Sequence, residues 1–259
     1  MALLNGQPVD PDALKVLGLT NYGHFTSMRV DDGHVRGLGL HLERLVRDCR
    51  TVFGATLHSE QVLGFVREAV GGIAGSFVVR VTVFDPAFDM GHPATADAPK
   101  VLVTHRSASD LPLPPLGVKT VPYQRDIAQV KHLGLFGALH HRRAAQLDGF
   151  DDALFVGPDH LISEGGTWNV GFIDETGSVV WPKGDVLPGV TMGLLQQYHE
   201  HTTAPVSLDS VGTVQAAFAT NTTIGVRPIS TIDDVQLSTE HPVLTALREA
   251  YLGVPGDPL

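Results

Sequence analysis

Between Asp110 and Gly117 the sequence reads DLPLPPLG. Three prolines in so short a span cannot donate to a sheet ladder or sit inside a helix. The stretch predicts a linker at 110–117 that separates an N-terminal α+β domain, 1–109, from a C-terminal domain, 118–259. A chain of 259 residues is long enough to divide in this way and still give each half its own core.

In the first half, Leu3 to Asn5 reads as a short strand before the turn Gly6-Gln7-Pro8. Phe25 to Val30 reads as a second strand, ending at the hairpin signal Asp31-Asp32-Gly33-His34. Leu42, Leu45, Val46, Cys49, Val52 and Phe53 recur at spacings of three and four, which predicts a helix over His41 to Phe53. Ser59 to Val70 has the same periodicity. The β-branched run Phe77 to Phe84 (FVVRVTVF) predicts a buried strand, as does Val101 to Thr104. Asp85 to Ala98, rich in Pro, Gly, Ala and Asp, reads as a long mobile loop.

In the second half, Val118 to Pro122 reads as a strand. Lys131 stands at the entrance of a helix in which Leu133, Phe136, Leu139 and Leu147 follow helical spacing up to the stop at Asp148-Gly149. Strands are expected at Asp152 to Val156, Leu161 to Ser163, Trp168 to Ile173 and Val179 to Trp181. A helix runs from Thr191 to about His201. Ala216 to Thr220 and Ile224 to Ile229 are strands joined by Asn221-Thr222-Thr223, and Val243 to Tyr251 closes the chain as a helix.

Eighteen Lys and Arg against 28 Asp and Glu give a formal charge of -10, so no basic surface is evident that could track a nucleic-acid backbone. Cys49 is the single cysteine, which rules out an intrachain disulfide and fits a reducing, cytoplasmic setting. No apolar run approaches the ~20 residues of a membrane span, and MALLNGQPVD lacks the basic and apolar regions of a signal peptide.

Only five lysines are present, at 15, 100, 119, 131 and 183. Lys119 and Lys131 lie among apolar neighbours, where an amine is costly unless paired, neutralised or bound covalently, and Lys131 alone is followed by a long helical pattern. It can also be a lysine that reaches out to solvent. Glu164 leads the turn Gly165-Gly166-Thr167-Trp168-Asn169. A carboxylate there is either a strand-end charge or a partner for a basic ring nitrogen, which it keeps protonated. Leu187-Pro188-Gly189-Val190-Thr191 opens a helix, so its amides and the Thr191 hydroxyl can bind a phosphate dianion, or simply cap the helix. Arg44, in His41-Leu42-Glu43-Arg44-Leu45, offers a forked cation for the same phosphate, and the Thr222-Thr223 turn offers more donors. No metal site is expected: the alternating histidines of Tyr198-His199-Glu200-His201 would point to different sides of a helix.

In register, FTSMRVDDGHV with HLERL, then VKHLG, EGGTWN, LPGVT and ATNTT resemble the fold-type IV pyridoxal-phosphate (PLP) enzymes, or class IV aminotransferases. That family includes branched-chain and D-amino-acid aminotransferases and 4-amino-4-deoxychorismate lyase. The resemblance implies a two-domain α+β fold with the cofactor cleft between the domains, and a homodimer. It implies that Lys131 forms a Schiff base with pyridoxal 5'-phosphate and shuttles the substrate α-proton. By the same resemblance Glu164 pairs with the pyridine nitrogen, and Arg44, Val190, Thr191 and Thr222 bind the phosphate. Phe25, Arg29, Arg80, Thr223 and Ile224 face the substrate.

The pattern around the substrate departs from each subfamily. Phe25 to Val30 and VKHL are similar to the lyase branch. Gly134 stands where an asparagine often follows the lysine, and Val83-Phe84-Asp85 lacks that branch's Arg-Gly. Arg80 falls where branched-chain enzymes carry a substrate-binding arginine, Phe136 occupies their cofactor-contacting tyrosine position, and Met192 replaces a basic residue. The resemblance therefore implies amino-group transfer between an amino acid or amine and a keto acid. The alternatives are formation of 4-aminobenzoate and pyruvate by the lyase, and a binding protein of the same fold without catalysis.

Overall fold

The β-branched run at 77–84 becomes the middle of a sheet because its side chains alternate between two covered faces. In the computed structural model, which describes residues 2–259, the chain divides into two compact units. One comprises residues 1–109, 130–134 and 255–259, the other 110–129 and 135–254. Neither is contiguous: the five residues around Lys131 lie with the first unit, not with the segment 118–259 assigned to them from sequence.

The first unit is built from β1 (Ala2–Leu4), β2 (Gln7–Pro8), α1 (Pro11–Thr20), β3 (His24–Asp31), β4 (His34–Arg36), α2 (Leu38–Phe53), α3 (Ser59–Val70), β5 (Ser76–Phe84) and β6 (Lys100–Ser107). The sheet order is β4-β3-β5-β6-β1-β2, and the terminal strand Gly256–Pro258 pairs antiparallel with β4. Met28 and Val30 of β3 with Val79, Val81 and Val83 of β5 make one face of the sheet apolar. This face forms a single core with Leu45, Cys49 and Phe53 of α2 and Val62 and Val66 of α3. Burial pushes the Cys49 thiol up to about 11.

Two readings of this half change. Pro11 to Thr20, where no element was expected, is α1: the Asp10 carboxylate accepts the Asp12 amide at 3.0 Å, Pro11 occupies the first turn, and Asn21 ends the helix in the left-handed region. Asp85 to Ala98, the expected loop, has a built base and a short 3-10 turn at Pro93–Thr95. The buried Asp85 side chain accepts the Ala87 amide at 2.8 Å and the Ala98 amide at 3.2 Å, and Phe88 stacks on Tyr22 with ring centroids 4.6 Å apart.

The second unit contains β7 (Leu116–Pro122), α4 (Phe136–Leu147), β8 (Asp152–Val156), β9 (Ile162–Gly165), β10 (Asn169–Ile173), β11 (Val179–Pro182), α5 (Val190–Tyr198), β12 (His201–Ala204), β13 (Ala216–Asn221), β14 (Gly225–Ile232) and α6 (Pro242–Gly253). Its sheet runs β12-β11-β10-β13-β14-β7-β8-β9, and β9 also pairs with β10. That extra pairing closes β7, β8, β9, β10, β13 and β14 into a six-stranded barrel, with β11 and β12 attached outside the ring. Leu116, Leu154, Ile162, Val170, Phe172, Ala217 and Ile229 belong to one buried cluster in it.

The helix after Lys131 begins only at Phe136. Its buried positions are Ala138 and Ala145, whereas Phe136, Leu139 and Leu147 are exposed, so the apolar spacing read from sequence marks the outer face. Small residues face inward because α4 lies close to the barrel: a Cβ on Gly137 would sit 2.3 Å from the Tyr123 hydroxyl. The α5 helix stops at Tyr198, and His201 to Ala204 leaves it to pair parallel with β11.

Candidate active site

In the first unit, β4 pairs only with Val30 and Asp31 of β3, which leaves the edge near His24 open. Residues 131–133 fill it as extended backbone. The Phe25 amide donates to the Lys131 carbonyl and the Leu133 amide to the Gly23 carbonyl, both at 2.9 Å, and His24 bridges His132 antiparallel. This register sets Lys131 opposite Phe25 on one face of β3. Lys131 Nζ lies 4.8 Å from the Phe25 ring centroid, and the Arg80 guanidinium lies 3.7 Å from the same centroid. Among the described residues no carboxylate pairs with Arg80, and burial lowers its pKa.

The other face of β3 carries His24 and Thr26, which meet a polar line on α2, His41, Arg44 and Asp48, all buried. The Thr26 hydroxyl accepts from Arg44 Nη2 at 2.5 Å and lies 2.7 Å from His41 Nδ1. His41 Nε2 is buried with no partner among the described residues. Burial, then the charges of Arg44 and Lys131, hold His41 well below the ordinary histidine range. Burial lowers Arg44 to about 10, against the raising effect of Asp48, so it stays cationic. Its Nε is buried with no acceptor among the described residues.

His24 has no exposed surface, and neither ring nitrogen has a partner among the described residues. Burial pushes it down to about 4, against the pull of Asp48 and with help from Arg44. Unfolding returns it to 6.5, so between those values the unfolded state binds the extra proton. The stability that neutral His24 permits is complete above about pH 6.5 and is lost as pH falls toward 4. Urea unfolding of His24→Leu should show a drop between pH 7 and pH 4.5 that is smaller than wild type's by about 2 kcal/mol. An unchanged pH dependence would show that His24 is not the group refusing the proton.

In the second unit, pairing aligns Glu164 of β9 with Asn169 of β10, and Asn169 with Thr220 of β13, so the three side chains share one face of the barrel wall. Glu164 is 4% exposed. Its Oε1 accepts from Arg125 Nε at 2.8 Å and its Oε2 from the Leu187 amide at 3.1 Å. Asn169 Nδ2 donates to the Leu187 carbonyl at 2.8 Å, and a Cβ on Gly189 would fall 2.0 Å from Asn169 Oδ1. Glu164 and Asn169 thus hold Leu187-Pro188-Gly189 and aim the start of α5. Among the described residues no side chain caps that helix, and the buried Thr191 hydroxyl has no partner. The Thr220 hydroxyl is likewise buried and unpartnered. Unpaired donors of this kind suit an anionic group with several acceptor oxygens.

The glutamate turn depends on glycine: a Cβ on Gly165 would lie 2.0 Å from the Trp168 ring, whose Nε1 donates to Asp152 at 2.7 Å. At the β13–β14 turn, Asn221 Oδ1 accepts the Thr223 amide at 2.8 Å, the Thr223 hydroxyl at 2.9 Å and the Ile224 amide at 3.0 Å. The two amides expected to face substrate are therefore engaged by an Asx turn. Arg29 is engaged as well: its guanidinium donates to Asp31 and to the Ser109 carbonyl, two bonds of 2.9 Å, and it does not join the group formed by Phe25, Arg80 and Lys131.

Residues 23–232 match the amino-transferase class IV family. The chain belongs to that family. Its fold matches a branched-chain aminotransferase from Thermoproteus uzoniensis, solved with norvaline, at TM-score 0.86 and 18% identity over 97% of this chain and 93% of that one. A T.th. branched-chain amino acid aminotransferase, solved in complex with N-(5'-phosphopyridoxyl)-L-glutamate, matches at 0.85 and 20% identity over 97% and 92%. An apo hypothetical aminotransferase from Mycobacterium tuberculosis matches at 0.82 and 17% identity over 98% of each chain. At such identities the likeness establishes the fold. No curated protein matches the sequence.

For this class IV aminotransferase family member, sequence reasoning left Arg125, Thr220, Asn221 and Asp48 without a role. Arg125 sits in a Gln-Arg-Asp stretch that reads as an ordinary surface loop. Thr220 could have been found by extending the strand at Ala216 and asking which of its alternating positions faces Asn169. The engagement of the Asn221 side chain is a tertiary fact, although Asn at the head of a turn is a known signal for it.

Proposed function

We propose that the protein is a PLP-dependent aminotransferase that moves an amino group between an amino acid and a keto acid. The observation that supports this most strongly is the barrel-wall row of Glu164, Asn169 and Thr220, with the uncapped start of α5 pinned beside it. The residues fit the cofactor. The Thr191 hydroxyl and the first amides of α5 suit a phosphate, and Thr220 adds a second unpartnered hydroxyl on the Asn169 face. Glu164 uses one lone pair on each oxygen for Arg125 and Leu187, which leaves acceptor capacity for a protonated ring nitrogen. In the first unit we assign Arg44 to the phosphate, through its unsatisfied Nε, and Lys131 to the aldehyde.

When bound, PLP supplies an electron sink for the carbanion left on the substrate α-carbon. The chain does the rest. Lys131 Nζ would hold the cofactor's aldehyde and, once released by the substrate amine, would be the base that takes up the α-proton and gives it back. Arg125 fixes the orientation of Glu164, which would pair with the ring nitrogen. Arg80, buried in part and without an acidic partner among the described residues, binds a substrate carboxylate while Phe25 supports its guanidinium from beneath. An amino-acid donor and a keto-acid acceptor both carry that carboxylate.

The test is a half-reaction. Holoenzyme mixed with L-amino acids, D-amino acids or amines, without keto acid, should convert its visible band to that of the aminated cofactor, and a keto acid should restore it. A band unchanged by every donor, with 4-aminobenzoate and pyruvate formed from 4-amino-4-deoxychorismate, would replace transfer by the lyase reaction. Loss of colour on borohydride reduction should leave its mass on Lys131.

A further inference from the structure

The α2 helix buries an unusual line of polar side chains, and one of them has no part in the chemistry above. Asp48 has no exposed surface. Its Oδ1 accepts from Arg47 Nη2 at 2.7 Å and Nε at 3.0 Å, and its Oδ2 accepts the main-chain amide of Lys131 at 2.9 Å. A buried carboxylate is costly unless its oxygens are satisfied, and here one of them is spent on a single backbone N–H in a five-residue segment outside any helix. β3 supplies the other two main-chain bonds, through the Phe25 amide and the Gly23 carbonyl, but both come from its backbone and fix only one edge. The Asp48 bond approaches from α2 and closes the Lys131 peptide against a second element.

We propose that Asp48 is a positioning residue that locks the main chain of Lys131, so that its side chain leaves the backbone in the one direction that carries Nζ over the Phe25 ring. The inference rests on the reading of Lys131 as the reactive amine. A long, flexible lysine side chain has many rotamers, and anchoring its Cα removes the first source of that freedom. The two bonds from Arg47 to Oδ1 fix which oxygen faces Lys131.

The test reads the anchor in the cofactor-free protein, by hydrogen–deuterium exchange resolved to the Lys131 amide and referenced to the amides of β5. In Asp48→Ala that amide should exchange at least about tenfold faster, and in Asp48→Asn, which keeps a neutral acceptor, about threefold faster. Arg47→Gln removes the pair on the other oxygen and should leave the ratio within about twofold of wild type. In holoenzyme, Asp48→Ala should lower kcat at least about tenfold with little change in KM, and Asp48→Asn should recover most of it. Exchange at Lys131 as slow in folded Asp48→Ala as in wild type overturns the proposal. Should that variant not fold, equal exchange in Asp48→Asn and wild type overturns it as well. Absence of a borohydride-trapped adduct on Lys131 would instead defeat the assignment of the amine, and leave the exchange result standing.

Discussion

If Lys131 is the reactive amine proposed above, replacing it by alanine should lower the rate of amino transfer by at least about 10³-fold, since that would remove both the covalent attachment and the group that moves the α-proton. Stability changes by no more than about 1 kcal/mol, because the bonds that hold this segment to Phe25 and Asp48 are made by the main chain and survive the substitution. Lys131→Arg separates charge from chemistry: it keeps a cation near the Phe25 ring but cannot attach the aldehyde, so it should be as inactive as the alanine variant. The half-reaction monitored by stopped flow, alongside urea unfolding, measures both quantities. Transfer within tenfold of wild type in either variant would remove Lys131 from the mechanism.

Arg125→Leu should destabilise the protein by about 3–5 kcal/mol, because it strands the Glu164 carboxylate in the barrel wall without its ion-pair partner. The side chains of that pair are 8% and 6% exposed, so solvent cannot compensate. Glu164→Gln is milder in stability: the amide can still accept from Leu187, while Arg125 keeps its bond to the Ala128 carbonyl. The double variant should cost less than the two single changes added together, a coupling that urea denaturation reads as a double-mutant cycle. Additive effects, or an Arg125→Leu cost under about 1 kcal/mol, would show that the pair is not held as tightly as its geometry implies.

Much of the site was legible before any coordinates. The Leu-Pro-Gly-Val-Thr opening of α5 is local chemistry: proline and glycine in that order end an extended segment and start a helix, and the structure begins α5 at Val190. The glutamate ahead of Gly165-Gly166 was legible for a similar reason, since a tight turn must follow it. Less was legible around Lys131. The apolar spacing after it suggested a helix entrance, yet that spacing belongs to the outer face of α4, and Lys131 itself is extended. Periodicity reports that a face exists, and cannot report whether that face looks inward.

Local sequence determined which elements form and roughly where they start and stop, because helix periodicity, strand alternation and turn residues act over a few positions. It also determined the inventory of candidate groups: a lysine ahead of a helical pattern, a glutamate at a glycine turn, an arginine on a helix. The tertiary structure decided who partners whom. Asp48 holds the Lys131 amide across 83 positions and Arg125 reaches Glu164 across 39, while the Asn221 side chain takes the amides of Thr223 and Ile224, which the family resemblance had set toward substrate. The physical reason is that a buried polar group must find a partner somewhere, and strand register and helix packing, which no short window encodes, choose which group comes within about 3 Å.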